Sequence, residues 1–447
     1  MTSKRYTGNI ITDTPTDPTG DAAGGVWSLA EVNEYKSANA WPTLPEAPTI
    51  GTATDRETDG EVRVTFTGGE VYGGTLSQYT VLSNPDGVTA TGSTSPIDIT
   101  GLTNGTSYTF TVSATTGAGT SPYSSASSSV TPTAADRGLF MAGQILGGSY
   151  ATNTMDYLNI KSAGNAVDFG DLSQVRGGGG AASSSTRALC MGGGDIFGAS
   201  GSTNYSNRID YVTIATTGNS SIFGSLSASI RTQCGGLSNS TRACQMFGFQ
   251  SNAIAKQQID YVAIATTGNA ADFGDLDNGY QNSASAFASP TRGIMCGGSD
   301  YYSTLYNKIQ YITIATTGDA TDFGDLRNGY EKIGGTSSST RGLSTGWTGS
   351  NSGTGSGQLE YVTIASTGNA TVFGDLVNSG SNKSYYCSAT SNNTTAVIHE
   401  GYNNSAGGTN VVSSVTIAST GNASDFGDLT LARFMSTATS GTHGGLQ

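Results

Sequence analysis

The chain has 447 residues, with Gly at 64, Pro at 10, only 12% charged and a formal charge of −13. That length exceeds one compact core and calls for two or three units, and a composition rich in Gly, Ser and Thr suits strands and turns. The acidity excludes a nucleic-acid partner, whose affinity needs Lys and Arg against phosphates, and without a long apolar run no membrane insertion is expected.

Residues 1–44 read as a docking segment. Met1 to Gly20 is polar and contains no apolar stretch of the secretory type, so the chain is expected to be assembled in the cytoplasm where it is made. Ser28 followed by Glu31 is a capping box, and Trp27 with Val32 occupies the two positions of a hydrophobic staple, so a short helix is predicted to begin there. Pro42 and Pro45 end it. Leu29, Val32 and Tyr35 are expected on one face, with Trp27 and Trp41 at its ends. That aromatic surface is too large to bury within so short a segment and needs another protein or the rest of this chain.

Residues 45–133 alternate apolar and polar in short runs, Val62-Arg-Val-Thr-Phe66, Tyr79-Thr-Val-Leu82, Ile97-Asp-Ile99 and Tyr108 to Ala114, separated by turns such as Asn84-Pro-Asp-Gly87 and Asn104-Gly105. This spacing predicts a β-sandwich. Gly101-Leu-Thr-Asn-Gly-Thr-Ser-Tyr-Thr-Phe-Thr-Val-Ser-Ala114 resembles the second half of a fibronectin type III domain, which implies a tyrosine corner at Leu102 and Tyr108. Phe66 stands where that family usually carries a core Trp. The expected role is a stiff spacer.

Residues 134–447 carry six copies of one phrase, written in the second copy as Ile209-Asp-Tyr-Val-Thr-Ile-Ala-Thr-Thr-Gly-Asn219 followed by Phe223-Gly-Ser-Leu226. A period of roughly 50 residues with strands too short to bury a face alone is the pattern of a β-propeller. Each repeat divides into strands a to d, in the second copy Ser173 to about Ala182, Ala188–Gly193, Ile209–Ile214 and Ser221–Leu226. Arg137, Arg187, Arg242, Arg292 and Arg341 open strand b in five repeats, with Thr395 in the sixth, and the turn after strand c recurs at Gly164, Gly218, Gly268, Gly318, Gly368 and Gly421. The first repeat lacks strand a, whereas Arg433 lies four residues past Leu429 as Arg176 lies four past Leu172, so the tail is expected to return and complete the first sheet. The period and the pairs Gly192-Gly193 and Gly297-Gly298 resemble kelch-type propellers, although the tryptophan usual between strands c and d is missing. The fold class expected is therefore all-β: a sandwich, then a closed six-bladed propeller, preceded by a short extended and helical anchor.

Alternating strand direction puts the a–b and c–d turns on one side and the b–c and d–a loops on the other. The first side repeats nearly unchanged, while the second varies in length and content and carries Tyr150, Phe197, Tyr205, Tyr301, Tyr302, Tyr306, Trp347 and Tyr402, joined by Tyr280 and Tyr330 in d–a loops. Exposed aromatics among Ser, Asn and Gly suit recognition of a host-surface glycan or protein; plugging the channel or shielding sheet edges is the structural alternative. No catalytic residue, cofactor or metal is expected. The repeated Asp-Phe-Gly-Asp, as at Asp168 and Asp171, recurs in four repeats and reads as a structural turn. His399 and His443 are the only imidazoles. The five cysteines form no metal or disulfide spacing, and Cys190, Cys244 and Cys296 fall in apolar strand segments as small buried hydrophobes.

Gly25-Val-Trp-Ser-Leu29 and Trp41-Pro42 resemble the N-terminal pieces of virion proteins from marine tailed bacteriophages, which precede fibre or adhesin modules. The resemblance implies a tail-associated virion protein that contacts other virion proteins through its N-terminus. A capsid decoration protein contacting neighbouring subunits, or a glycan-cleaving propeller enzyme, are the alternatives. Homo-oligomers on the particle are compatible with the sequence, and no coiled-coil heptad demands them.

Overall fold

A computed structural model describes residues 18–19, 21–23, 27–38, 41–56, 60–72, 74–133, 136–145, 151–195, 204–227, 233–246, 248, 257–277, 283–300, 304–331, 333–346, 357–378, 384–403 and 407–446. The chain is all-β and divides into two compact units, Met1–Ala135 and Asp136–Gln447.

In the first unit the capping box forms as the sequence dictates. The Glu31 N–H donates to Ser28 Oγ at 3.3 Å, and the Ser28 N–H donates to the Glu31 carboxylate at 2.7 Å, opening the helix Leu29–Ser37. Further back, the Asp21 carboxylate accepts the N–H groups of Thr75 (2.8 Å) and Gly117 (3.1 Å), so this stretch is tied to the strands that follow. Those donors hold the Asp21 carboxyl below its ordinary range.

The strands form a sandwich. Thr49–Asp55, Val62–Thr67 and Ile97–Ile99 make one sheet, and Thr89–Gly92, Leu76–Asn84, Thr109–Thr116 and Gly119–Thr120 make the other, all antiparallel. Alternation sends Val62, Val64, Phe66, Val81, Ile99, Phe110 and Val112 into one core. Phe66 meets Tyr79 edge-on at 4.7 Å, filling the place expected of a Trp with two smaller rings. Tyr108 is fully buried, and its hydroxyl accepts the Thr103 N–H at 3.0 Å and donates to Asp86, which is the tyrosine corner. Beyond Thr120 the hydroxyls of Ser121, Ser124 and Ser127 accept the N–H groups of Ala114, Val112 and Phe110, so a seryl period of three substitutes for a strand edge.

In the second unit, the described residues form six antiparallel sheets with strands paired in the order a-b-c-d, and a separate two-stranded sheet of Gly194–Asp195 and Asn204–Tyr205. The second sheet is Gly180–Ser183, Arg187–Met191, Arg208–Thr213 and Ser221–Ser225. Strand a is shorter than the sequence reading because Leu172 to Gly179 crosses between sheets: Arg176 turns fully inward there and meets Asp210 at 2.7 Å. In the first sheet Arg137–Gln144, Ala151–Asn159 and Val167–Asp171 supply strands b, c and d. Strand a arrives from the tail as Thr437–Ser440, paired Thr437 to Met141 and Ser440 to Gly138. The last strand of the chain thus completes its first sheet.

Apolar cores lie between consecutive sheets: Leu139, Met155 and Phe169 pack on Ala181, Cys190 and Val212, while Phe140, Leu158 and Ile160 pack on Val397, Val412 and Phe426. The repeated phrase makes the junctions. The Gly218 N–H donates to the Phe169 carbonyl and Asn219 Oδ1 accepts the Asp171 N–H, and the same two bonds recur at every junction through Gly421 on Phe373 and Gly164 on Phe426. A Cβ at Gly224 would stand 2.0 Å from the Gly268 carbonyl oxygen, and one at Gly427 2.2 Å from that of Gly164, which is why glycine follows Phe in each copy. Asp-Phe-Gly-Asp therefore lies in strand d rather than in a turn, and it serves this backbone approach.

Candidate functional site

The a–b side is built from one arrangement used five times. Arg137, Arg187, Arg242, Arg292 and Arg341 each lie over the strand-c tyrosine of their own sheet, 4.4–4.8 Å from the ring centroid. Each also donates from Nη1 to the carbonyl of Ile214, Ile264, Ile314, Ile364 or Ile417 in the next sheet at 2.8–2.9 Å. The sixth sheet has Thr395 for the arginine and Ser414 for the tyrosine, leaving a cleft of about 350 Å³ lined by hydroxyls, including Thr416, Ser419 and Ser424.

The b–c and d–a side is individual. Tyr205, Tyr306 and Tyr402 are described and all are partly buried; Tyr150, Phe197, Tyr301, Tyr302, Trp347 and Tyr280 lie outside the described residues. Tyr205 pairs through its backbone with Gly194. The Tyr306 N–H donates to the Gly298 carbonyl at 2.9 Å, and burial, then Asp300, raises the Tyr306 hydroxyl pKa. Tyr330 is not an exposed loop ring: it is fully buried and donates to Glu360 at 2.8 Å. It stands four residues past Leu326, the offset at which Arg176 and Arg433 meet Asp210 and Asp156, so all three fill one type of seat against an acid of strand c.

Among the described residues, the largest aromatic assembly on this side is only partly visible in the sequence. The sixth sheet extends into a two-stranded ribbon, Ser384–Tyr385 against Tyr402–Asn403. The rings of Tyr385 and Tyr402 lie 4.9 Å apart at 37°, and Phe434 of the returning tail closes on Tyr402 edge-to-face at 5.2 Å and on Tyr386 at 5.8 Å. Sequence reasoning found Tyr402 and missed Tyr385, Tyr386 and Phe434; the doublet Tyr385-Tyr386 was the available signal. The ribbon base is fixed by Glu400, fully buried, which accepts the N–H groups of Val377 and Asn378 (3.1 Å each) and the hydroxyls of Ser384 (3.0 Å) and Ser413.

Beside this cluster a pocket of about 60 Å³ opens, lined in part by Gln233, Ser283, Ile333, Tyr386 and Met435. Gln233, Ser283, Tyr386 and Met435 all have φ between 55° and 57°, each two residues before a strand a. Left-handed backbone at non-glycine residues is strained and persists only where surroundings enforce it. The enforcing contacts run from sheet to sheet, including the Ser283 N–H to the Gln233 carbonyl and the Gly178 N–H to the Met435 carbonyl.

Three of the cysteines and both histidines are engaged within the fold. Cys190, Cys244 and Cys296 are buried in strand b, and burial pushes the Cys244 thiol up to about 12, away from thiolate reactivity. His399 is buried, its Nε2 donating to the Thr409 carbonyl at 2.9 Å; His443 meets Ser238 Oγ at 3.2 Å. Among the described residues, no group of three His, Cys, Asp or Glu is arranged to hold a metal, and no helix is long and apolar enough to cross a membrane.

Among the docking residues, three rings come together. Trp27 meets Tyr35 at 5.2 Å and Trp41 at 5.6 Å, both edge-on, whereas Leu29 is 77% exposed.

Residues 46–130 match the model of the fibronectin type III domain, so the sandwich belongs to that family of domains. Among curated proteins, none matches the chain.

Proposed function

We propose that Asp136–Gln447 is a closed six-bladed, kelch-like β-propeller and that the chain is a non-enzymatic virion protein of a tailed bacteriophage. In this reading residues 1–44 attach it to other virion proteins, the fibronectin type III domain spaces it, and the propeller offers its b–c side to a host-surface glycan or protein. The propeller reading is supported by the Phe-to-Gly bond at all six junctions, the sixth-to-first included, together with the return of Thr437–Ser440 to the first sheet. The tail position is supported by the likeness of Gly25–Leu29 and Trp41-Pro42 to phage N-terminal pieces.

The observation that carries recognition is the contrast between the two sides. Five Arg–Tyr stacks and six identical junctions are what a fold demands, whereas the ribbon with Tyr385 and Tyr402 belongs to one sheet. Imaging of intact particles with the chain located tests the assignment: the b–c side facing solvent at the tail agrees with it, and the same side buried against capsid subunits replaces it with the decoration role. A glycan depolymerisation assay that showed turnover lost on substitution of a single Asp would overturn the non-enzymatic assignment.

A further inference from the structure

We propose that Gly441–Leu446 is a latch: once Thr437–Ser440 has completed the first sheet, these residues cross one end of the passage between the six strands a and lock the ring against opening. The inference goes beyond recognition and rests only on the ring in the reading above.

The passage exists because strand a carries small residues at its centre. Ala181, Gly236, Ala286, Gly335, Ala389 and Ala438, one from each sheet, line two cavities in common, of about 40 and 80 Å³. The larger shares Cys234, Ile333 and Ser436 with the pocket beside Tyr386, so that end leads to the b–c and d–a side. The smaller lies toward the a–b turns, and His443 forms part of its wall.

At that end the tail meets three further sheets. Gly441 lies against Ser185 of the second, Gly445 against Ser238 of the third and Gly444 against Ser338 of the fifth. Glycine is required at each approach: a Cβ on Gly441 would stand 2.8 Å from the Ser185 carbonyl oxygen, and one on Gly444 or Gly445 would run into that of Ser338 or Ser238. The 3-10 turn Gly444–Leu446 is fixed from within, the Gly445 N–H donating to His443 Nδ1 at 3.1 Å and the Leu446 N–H to the His443 carbonyl at 2.9 Å. With Nδ1 accepting, Nε2 carries the proton and faces Ser238 Oγ at 3.2 Å, across 205 positions of sequence. Contacts this distant need the earlier sheets already in place, and interactions formed that late slow unfolding without speeding folding.

The test deletes residues 441–447 from the full chain, which keeps Thr437–Ser440 and removes the latch. Unfolding in urea, read by pulsed hydrogen exchange over residues 180–183, 235–238 and 335–337, should quicken about tenfold or more, with refolding changed by less than about twofold. Gly445→Ala should reproduce the effect, and it carries the test if the deletion variant does not fold. An unchanged unfolding rate, or refolding slowed as much as unfolding is quickened, overturns the latch. Exchange over Arg137–Gln144 and Thr437–Ser440 in the unaltered chain reads the ring separately: protection there with no effect of either variant removes the latch alone, whereas rapid exchange there removes the ring beneath it.

Discussion

The Ser183 hydroxyl donates to the Ser440 carbonyl at 2.7 Å, joining residues 257 positions apart. The same step links Ser440 to the carbonyl of Ser391, Ser391 to that of Ser337, Ser337 to that of Ala288, and Ser238 to that of Ser183. Equivalent residues of strand a are thus stitched from sheet to sheet, broken only where Ala288 has no hydroxyl to give. Ser391→Ala should cost about 1–2 kcal/mol, because the Ser337 carbonyl loses a buried donor. Deleting residues 434–447 should do far more, since the strand Arg137–Gln144 would present an unpaired edge. Urea unfolding checks the first; self-association of the truncated chain on size exclusion checks the second.

Arg292 lies over the Tyr311 ring at 4.4 Å and the Phe323 ring at 6.0 Å while donating to the Ile364 carbonyl at 2.8 Å. Replacing it with Ala should destabilise by about 1–3 kcal/mol, combining a partly desolvated cation–π contact with a lost hydrogen bond. Thr395→Ala, at the position where the sixth sheet has neither partner, should change stability by less than about 0.5 kcal/mol. A double-mutant cycle of Thr395→Arg with Ser414→Tyr should give a favourable coupling of about 1 kcal/mol, measured by chemical denaturation; zero coupling would mean that the cleft at the sixth sheet cannot accept the stack.

What the sequence disclosed follows how local the cause is. Ser28 with Glu31, the Leu102–Tyr108 corner and the tail register at Arg433 each obey a rule acting within a few residues, and each appears in the structure. The aromatic cluster obeys no such rule: Phe434 reaches Tyr386 and Tyr402 only because the tail comes home beside the sixth sheet. Tyr330 was misplaced for a different reason. A tyrosine in a polar loop looks exposed, yet its offset from Leu326 equals that of Arg176 from Leu172, and that offset points inward at Glu360.

Arg176 and Asp210 are both fully buried and 2.7 Å apart, and Arg176 also donates to the Arg208 carbonyl at 3.1 Å. Removing one partner leaves the other charge stranded in a low dielectric, so Arg176→Met should destabilise by about 3–5 kcal/mol. Arg176→Met combined with Asp210→Leu should recover most of that loss, because an apolar pair of similar volume has no desolvation cost. Differential scanning calorimetry of the two single variants and the double variant decides it: a double variant as unstable as the sum of the singles would show that the seat requires charge.

His399 makes stability depend on pH in a defined sense. Its Nε2 faces the Thr409 carbonyl at 2.9 Å, an acceptor only, so Nε2 carries the proton and Nδ1 accepts from the Ser436 hydroxyl at 2.8 Å. Burial, reinforced by the nearby Arg433 charge, brings the pKa down to about 3 against 6.5 for a free imidazole. The folded state therefore favours the neutral ring: its contribution is complete above pH 6.5 and is lost as the pH falls from there toward 3, by up to about 1.4 kcal/mol per unit. His443, lowered to about 4 by burial, acts in the same direction but is partly exposed and should contribute less. Urea unfolding at pH 7, 6, 5 and 4 should show stability falling with acid, and His399→Gln, which keeps a donor and an acceptor but does not titrate, should flatten part of that slope. An unchanged slope in the variant would mean that the imidazole is already protonated in the folded chain.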